Sequence, residues 1–228
     1  MRLTYFGHSC FLLEIGGARL VFDPHLRKNP HGAVKLADVP CDYVLCTHAH
    51  EDHTADALAL TRLHRATLVA PWELANYYAA KKVATIDLMP GGGITLPWGC
   101  IQMTPAIHSS SFELPKGGNR NMGIASGYVI QAEGKRVYAA DDTALFSDMQ
   151  LIGRGGLDLA LLPIGDHYTM GPAEAVEALN FLRPRLAIPI HYNTEDKIRQ
   201  DPHAFAATAA RAGHTVKVLS AGERLEIR

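Results

Sequence analysis

Apolar positions along this chain fall into two patterns. Short runs rich in β-branched and aromatic residues read as strands: Leu3 to Phe6, Cys10 to Ile15, Arg19 to Phe22, Tyr43 to Cys46, Tyr128 to Gln131, Arg136 to Ala140, Leu157 to Ile164 and Leu186 to Ile190. YVLC, LDLALLPI and LAIPI have no polar alternation, so they predict strands covered on both faces, whereas FLLEI and KRVYAA alternate and predict one covered face. Helical periodicity falls between the runs, over about 54–64, 72–81, 172–182 and 201–212. The third of these is the best defined, with Pro172 in its first turn, Ala175, Leu179 and Leu182 on one stripe, and Pro184 as a stop. In the last, Asp201 stands as N-cap before Pro202, and Gly213 ends the helix. Strands that mostly follow strands, with few helices between, predict an α/β layered sandwich with outer helices rather than a doubly wound sheet. The stretch 108–122, HSSSFELPKGGNRNM, reads as a long irregular loop, and loops of that length are usually functional or mobile.

Composition narrows the class. At 228 residues, with no repeat and no linker, the chain is expected to form one domain over 1–228. Hydrophobic residues at 47% and charged residues at 20% exclude disordered and collagen-like classes. Lys+Arg 22 against Asp+Glu 23 leaves a formal charge of -1, which removes the broad basic field of a protein that grips nucleic acid or anionic lipid. Glu14 interrupts the first apolar stretch and no small-residue cleavage site follows, so no signal peptide is expected. No run reaches the ~18 apolar residues needed to cross a bilayer, so no membrane insertion and a cytoplasmic location are expected. Cys10, Cys41, Cys46 and Cys100 lack paired spacing and read as reduced, buried thiols.

The chemistry concentrates after YVLC. Residues 47–53 read THAHEDH, an HxHxDH cluster that chance would place in a chain with 12 His only about two times in a thousand. Alternate side chains of an extended backbone share a side, so His48 and His50 converge on one cation while Asp52 and His53 reach toward a second. Four ligands do not complete two sites. His108 after MTPAI, Asp142 after VYAAD and His191 after LAIPI each end an apolar run where loops share a rim, and they are the expected completion. Asp141 is the rival of Asp142, since neighbouring side chains in a strand point opposite ways.

FDP at 22–24, THAHEDH, His108, ADDT at 140–143 and His191 resemble the five ordered motifs of the metallo-β-lactamase superfamily. GHSCF at 7–11, DDTALFSDM at 141–149, LLPIGDHYTMGPAEA at 161–175 and IPIHYNT at 188–194 resemble, more narrowly, its branch of metal-dependent hydrolases, neighbours of ascorbate-6-phosphate lactonase and of an N-acylphosphatidylethanolamine phospholipase D. The resemblance covers nearly the whole chain and implies a four-layer αβ/βα sandwich with a two-metal cleft at one edge. It implies that His48, His50 and His108 hold one ion, that Asp52, His53 and His191 hold the other, and that Asp142 bridges them. Asp23 would support the HxHxDH loop from behind. The superfamily pattern is GDT, so Asp141 stands where a glycine is expected and keeps a less favoured claim as a ligand.

The expected activity is a dinuclear metal-dependent hydrolase acting on a small ester, lactone or phosphodiester through a hydroxide that bridges the metals. Asp52 is the expected proton shuttle, with His8 in GHSCF and Asp166 in GDHYTM as further catalytic candidates. Imidazole and carboxylate suit Zn(II) and also accept Mn(II) or Fe(II). The expected partner is a small-molecule substrate and not nucleic acid, and a homo-oligomer stays open. A glyoxalase-type thioesterase is a weaker match, because position 56 is Asp where that group has Gly. The alternative class is a metal-stabilised module that binds or senses a metabolite without turning it over. Lys116 and Arg120 are read as solvated, His25 and His31 as loop residues, and Phe112, Leu114, Tyr168 and Met170 as a candidate apolar wall.

Overall fold

The computed structural model describes residues 1–227. One sheet has seven strands in the order β15-β1-β2-β3-β4-β5-β6: β1 (Arg2–Gly7), β2 (Cys10–Ile15), β3 (Ala18–Phe22), β4 (Tyr43–Leu45), β5 (Thr67–Pro71), β6 (Thr85–Leu88) and β15 (Arg224–Glu226). The other has six in the order β14-β13-β12-β11-β8-β7: β7 (Gly93–Leu96), β8 (Gly99–Pro105), β11 (Ser126–Ala132), β12 (Lys135–Ala139), β13 (Leu159–Pro163) and β14 (Ala187–Ile190). A separate hairpin pairs β9 (Ser111–Glu113) with β10 (Asn119–Asn121).

The apolar runs explain the layering. In β13, Leu159 and Leu161 face the other sheet while Ala160 and Leu162 face the helices, so a strand without polar alternation is covered twice. The central layer packs Phe11, Phe22 and Leu45 of one sheet against Tyr128, Ile130 and Ile188 of the other. Outside the first sheet, Val44 and Leu68 meet Leu60 of α2 (Ala57–His64) and Leu74 of α3 (Trp72–Ala79). Outside the second, Tyr138 and Leu162 meet Ile152 of α4 (Met149–Gly153), Leu179 of α5 (Pro172–Leu182) and Phe205 of α6 (Pro202–Arg211). Each fully buried side chain of this kind contributes about 1.5–3 kcal/mol of transfer free energy. The result is the four-layer αβ/βα sandwich that the resemblance implied.

Local signals held where they were strongest. The α5 helix spans the residues that its stripe predicted, and Glu174 accepts the Gly171 N–H at its start, 3.1 Å. Asp201 Oδ1 caps α6 by accepting the N–H groups of His203 and Ala204 at 2.9 and 3.0 Å. Elsewhere the structure differs from the pattern. The helix read over 54–64 is two, α1 (Glu51–Thr54) and α2, because the chain turns at Asp56 to serve another segment. Strands β5 to β8 and β15 were not read from the sequence, and the supposed loop 108–122 contains the β9–β10 hairpin.

Strands β3 to β6 run parallel, as do β12 to β14, so their C-terminal ends gather at one edge. Contacts across the sheets lock this edge, among them Ser126 N donating to Thr47 O at 3.1 Å and His191 N donating to His8 O at 3.0 Å. In parallel sheets such an edge, outside the carboxyl ends of the strands, is where ligands bind.

Candidate metal centre

The cluster begins where β4 stops. His48 lies in the bend after β4, and His50, in extended backbone, is the residue before α1, so Asp52 and His53 occupy its first turn. The remaining members come from other strand ends: His108 after β8, Asp141 and Asp142 after β12, and His191 after β14. His48, His50, His108 and Asp142 bring ligand atoms within 4.8 Å of one another, and so do His8, Asp52, His53 and His191. Asp142 Oδ2 joins the groups, lying 3.1 Å from His191 Nε2, 3.4 Å from His53 Nε2, 3.5 Å from His108 Nε2 and 3.8 Å from His48 Nε2.

The arrangement fits divalent cations on its own chemistry. Imidazole nitrogens face each other, with His48 Nε2 2.9 Å and His108 Nε2 3.4 Å from His50 Nδ1, and one ring nitrogen cannot satisfy both neighbours with a single proton. His53 Nε2 and Asp142 Oδ1 are buried without any hydrogen-bond partner, a state that is costly unless a ligand meets them. Burial pushes the imidazoles of His48, His50 and His108 down, which keeps them neutral and fit to coordinate. Burial would likewise lower His53 and His191, yet the surrounding carboxylates, Asp142 first, raise both. Burial would raise Asp52 and Asp142, and neighbouring histidines hold both below the usual carboxylate range. The raised His53 and His191 report the negative field of the carboxylates between them, which welcomes positive charge.

Behind the cluster, His53 Nδ1 lies 2.9 Å from Asp23 Oδ2, so Nδ1 is the protonated nitrogen and Nε2 points toward Asp142. Thr47 fixes Asp23 in turn, donating from N at 2.8 Å and from Oγ1 at 2.6 Å. Asp23 therefore occupies the supporting place read from FDP. His8, Asp23, Asp141 and His191 all hold positive φ, at 56°, 38°, 51° and 53°. Four non-glycine residues in the left-handed region around one centre is the kind of backbone strain that collects at functional sites.

His8 is buried, and its Nε2 sits 2.8 Å from Asp52 Oδ2. Its other nitrogen, Nδ1, sits 2.8 Å from Thr194 Oγ1. Thr194 was not read as functional from the sequence; its only signal is its position three residues after His191 in the same loop. Asp166 is not brought to the site. It is exposed in the turn before α5, where Thr169 N donates to its carbonyl, and it does not line the cleft.

The cleft over the cluster has a volume of about 590 Å³. Asp52 keeps 42% of its side chain exposed there, whereas His53 and Asp142 beneath it show 0% and 3%. His25, read as a solvated loop residue, is half-buried and lines the cleft, because Asp56 accepts the N–H groups of Leu26 and Arg27 and holds that loop inward. Of the expected apolar wall only Tyr168 lines it; Phe112 packs on Tyr77, Leu114 is exposed and Met170 is buried beside α5. Lys116 and Arg120 do not line it.

A four-layer αβ/βα sandwich with histidines and carboxylates converging at one edge of its sheets defines the metallo-β-lactamase class of metallohydrolase folds. The β-lactamase superfamily domain family matches residues 18–192. A UPF0173 metal-dependent hydrolase of Opitutus terrae is 64% identical, with 100% of both chains covered. One from Thermus thermophilus is 45% identical over 100% of this chain and 99% of its own length. Among solved structures, Igni18, a metallo hydrolase of Ignicoccus hospitalis, superposes with a TM-score of 0.90 at 38% identity, covering 100% of this chain and 99% of that one. The chain belongs to the metallo-β-lactamase superfamily and, within it, to the UPF0173 metal-dependent hydrolases.

Proposed function

We propose that this metal-dependent hydrolase opens a small, uncharged carboxylic ester or lactone with the help of two divalent cations. His48, His50 and His108 would hold one, Asp52, His53 and His191 the other, and Asp142 would serve both; Zn(II) suits this imidazole-rich set, and Mn(II) or Fe(II) are the alternatives. The observation that carries the reading is the convergence of four imidazoles on Asp142 Oδ2, with both His53 Nε2 among them and Asp142 Oδ1 buried without a hydrogen-bond partner.

Bound there, such cations supply Lewis acidity, which brings the pKa of water from ~15.7 toward neutrality and polarises the carbonyl under attack. The chain itself handles the proton. Asp52, kept ionised by the neighbouring histidines and open to the cleft, accepts a proton from the attacking water and returns it to the leaving oxygen. His8, pushed down to about 4 by burial and by His191, is neutral at pH 7 and fixes the direction in which that carboxylate points. Thr194 fixes His8 in turn.

The charge of the cleft favours an ester or lactone over a phosphodiester. Among the described residues, no Lys or Arg lines it, while Glu51, Glu113 and Glu195 do. Lys28 stands 3.9 Å from Glu51, and Lys197 donates to the Tyr168 hydroxyl at 2.9 Å, both outside the cleft lining. An anionic substrate would meet carboxylates with no cationic side chain beside it.

The test combines elemental analysis of carefully purified protein with turnover of an aryl ester, a γ-lactone and a bis-aryl phosphodiester, in wild type, Asp52→Ala and His53→Ala. The expected result is about two ions per chain, with ester or lactone turnover falling about 10²–10⁴-fold in Asp52→Ala. Metal far below one ion per chain in wild type overturns the reading. Preference for the phosphodiester overturns the substrate class, and a tight ligand with no product after long incubation favours the binding-module alternative.

A further inference from the structure

Asp141 is out of place by every local rule. It holds φ 51°, a conformation that glycine adopts without strain, and glycine is the residue the superfamily pattern puts there. It is fully buried, its Oδ2 has no hydrogen-bond partner, and it stands close enough to Asp23 to push that carboxyl up, after burial. A strained backbone, an unpartnered buried oxygen and two crowded carboxyl groups all disfavour the folded chain.

What Asp141 gains is a single link. Its Oδ1 accepts the N–H of Asp142 at 2.9 Å and lies 3.2 Å from His53 Nδ1. One oxygen thus ties the backbone of the carboxylate shared by both groups to the imidazole of a second candidate ligand, from the side facing away from the cleft. Asp23 reaches the same His53 nitrogen but makes no contact with the Asp142 backbone among the hydrogen bonds of the site. Glycine could make neither contact.

We infer that Asp141 is a positioning residue: it locks His53 to Asp142 and strengthens the hold of the Asp52–His53–His191 side of the centre on its cation. The inference rests on the metal-dependent reading above. Its effect falls mainly on one of the two groups: Asp141 reaches His48, His50 and His108 only through the shared Asp142, and contacts none of them among the hydrogen bonds and ion pairs of the site.

Asp141→Gly and Asp141→Asn test it, in full-length protein stripped by a chelator and titrated with Zn(II) against a chromophoric competitor. The metal-free proteins are also compared by thermal unfolding and by ¹⁵N resonances of the histidine rings. Asp141→Gly should unfold at higher temperature without metal, since strain and crowding are relieved. One of its two zinc dissociation constants should rise about 10–100-fold, the usual effect of losing a group that orients a ligand. The other should rise less, since only the Asp142 link reaches that group. Asparagine keeps an acceptor for the Asp142 N–H and tolerates positive φ, so Asp141→Asn should restore the wild-type His53 signal and recover part of the affinity. Unchanged zinc constants in Asp141→Gly, or both constants weakening equally, would overturn the inference. Should Asp141→Gly not fold, Asp141→Ala, which likewise lacks the oxygen that accepts the Asp142 N–H, takes its place, and unchanged zinc constants there would do the same. Absence of zinc binding in wild type would instead defeat the metal-dependent reading, and the two failures are separable.

Discussion

His8 lies with Nε2 2.8 Å from Asp52 Oδ2, and the same ring places Nδ1 2.8 Å from Thr194 Oγ1. The three side chains come from the β1–β2 turn, the first turn of α1 and the loop after β14, and all three line the cleft, with buried His8 between the other two. A neutral imidazole between a carboxylate and a hydroxyl has one proton to give; the carboxylate can only accept, so Nε2 carries the proton and the Thr194 hydroxyl donates to Nδ1.

Replacing His8 should therefore damage turnover without emptying the site. His8→Ala is expected to lower kcat about 10²-fold while metal content stays at the wild-type level, because Asp52 loses the group that aims it. Thr194→Val, which removes only the hydroxyl, should lower kcat about tenfold and leave KM nearly unchanged. Steady-state kinetics with matched metal analysis checks both; loss of metal in His8→Ala would place His8 among the ligands instead.

Asp56 fastens the loop that carries His25. Its Oδ2 accepts the N–H groups of Leu26 at 2.7 Å and Arg27 at 2.8 Å, and its Oδ1 meets Arg27 Nε at 2.5 Å. Burial would raise this carboxyl, but the Arg27 backbone and side chain, then Leu26, outweigh it and lower it below 3.8. A group whose folded pKa is depressed stabilises the protein above its unfolded value and loses that contribution as pH falls through the folded one. Asp56→Asn should cost about 1–3 kcal/mol at pH 7. The gap from wild type should close below pH 3.8, as denaturant unfolding at several pH values will show.

Tyr128 spans the two sheets, with its hydroxyl donating to Cys46 O at 2.8 Å just before the HxHxDH segment. Tyr128→Phe keeps the packing and removes the donor. Thermal unfolding should register a loss of about 1 kcal/mol. Metal content is expected to be unchanged, since Ser126 still holds the Thr47 carbonyl through N and Oγ at 3.1 and 3.0 Å.

Removal of metal should destabilise the whole fold. Asp23, Asp52, Asp141 and Asp142 crowd around the histidines, and cations that bind only the folded chain add stability by mass action, about 2.7 kcal/mol at a hundredfold excess over Kd. Differential scanning calorimetry should show Tm falling on chelation and returning when Zn(II) is restored. An unchanged Tm would mean that the centre holds no cation in the native state.

Sequence alone determined what is local. Period-two and fully apolar runs fixed most strand types, the stripe and stops of α5 fixed its span, and the spacing in THAHEDH fixed which side chains could act together, because these depend on neighbours a few residues apart. Tertiary structure decided everything that depends on strand order. It brought Thr194 to His8 across 186 positions, drew His25 into the cleft through Asp56, and left Asp166 in an exposed turn despite its place after a buried strand. It also placed Asp141 and Asp142 on opposite sides of His53. Adjacent side chains diverge, and only the left-handed backbone at Asp141 determines that its neighbour faces the imidazoles while it stands behind them.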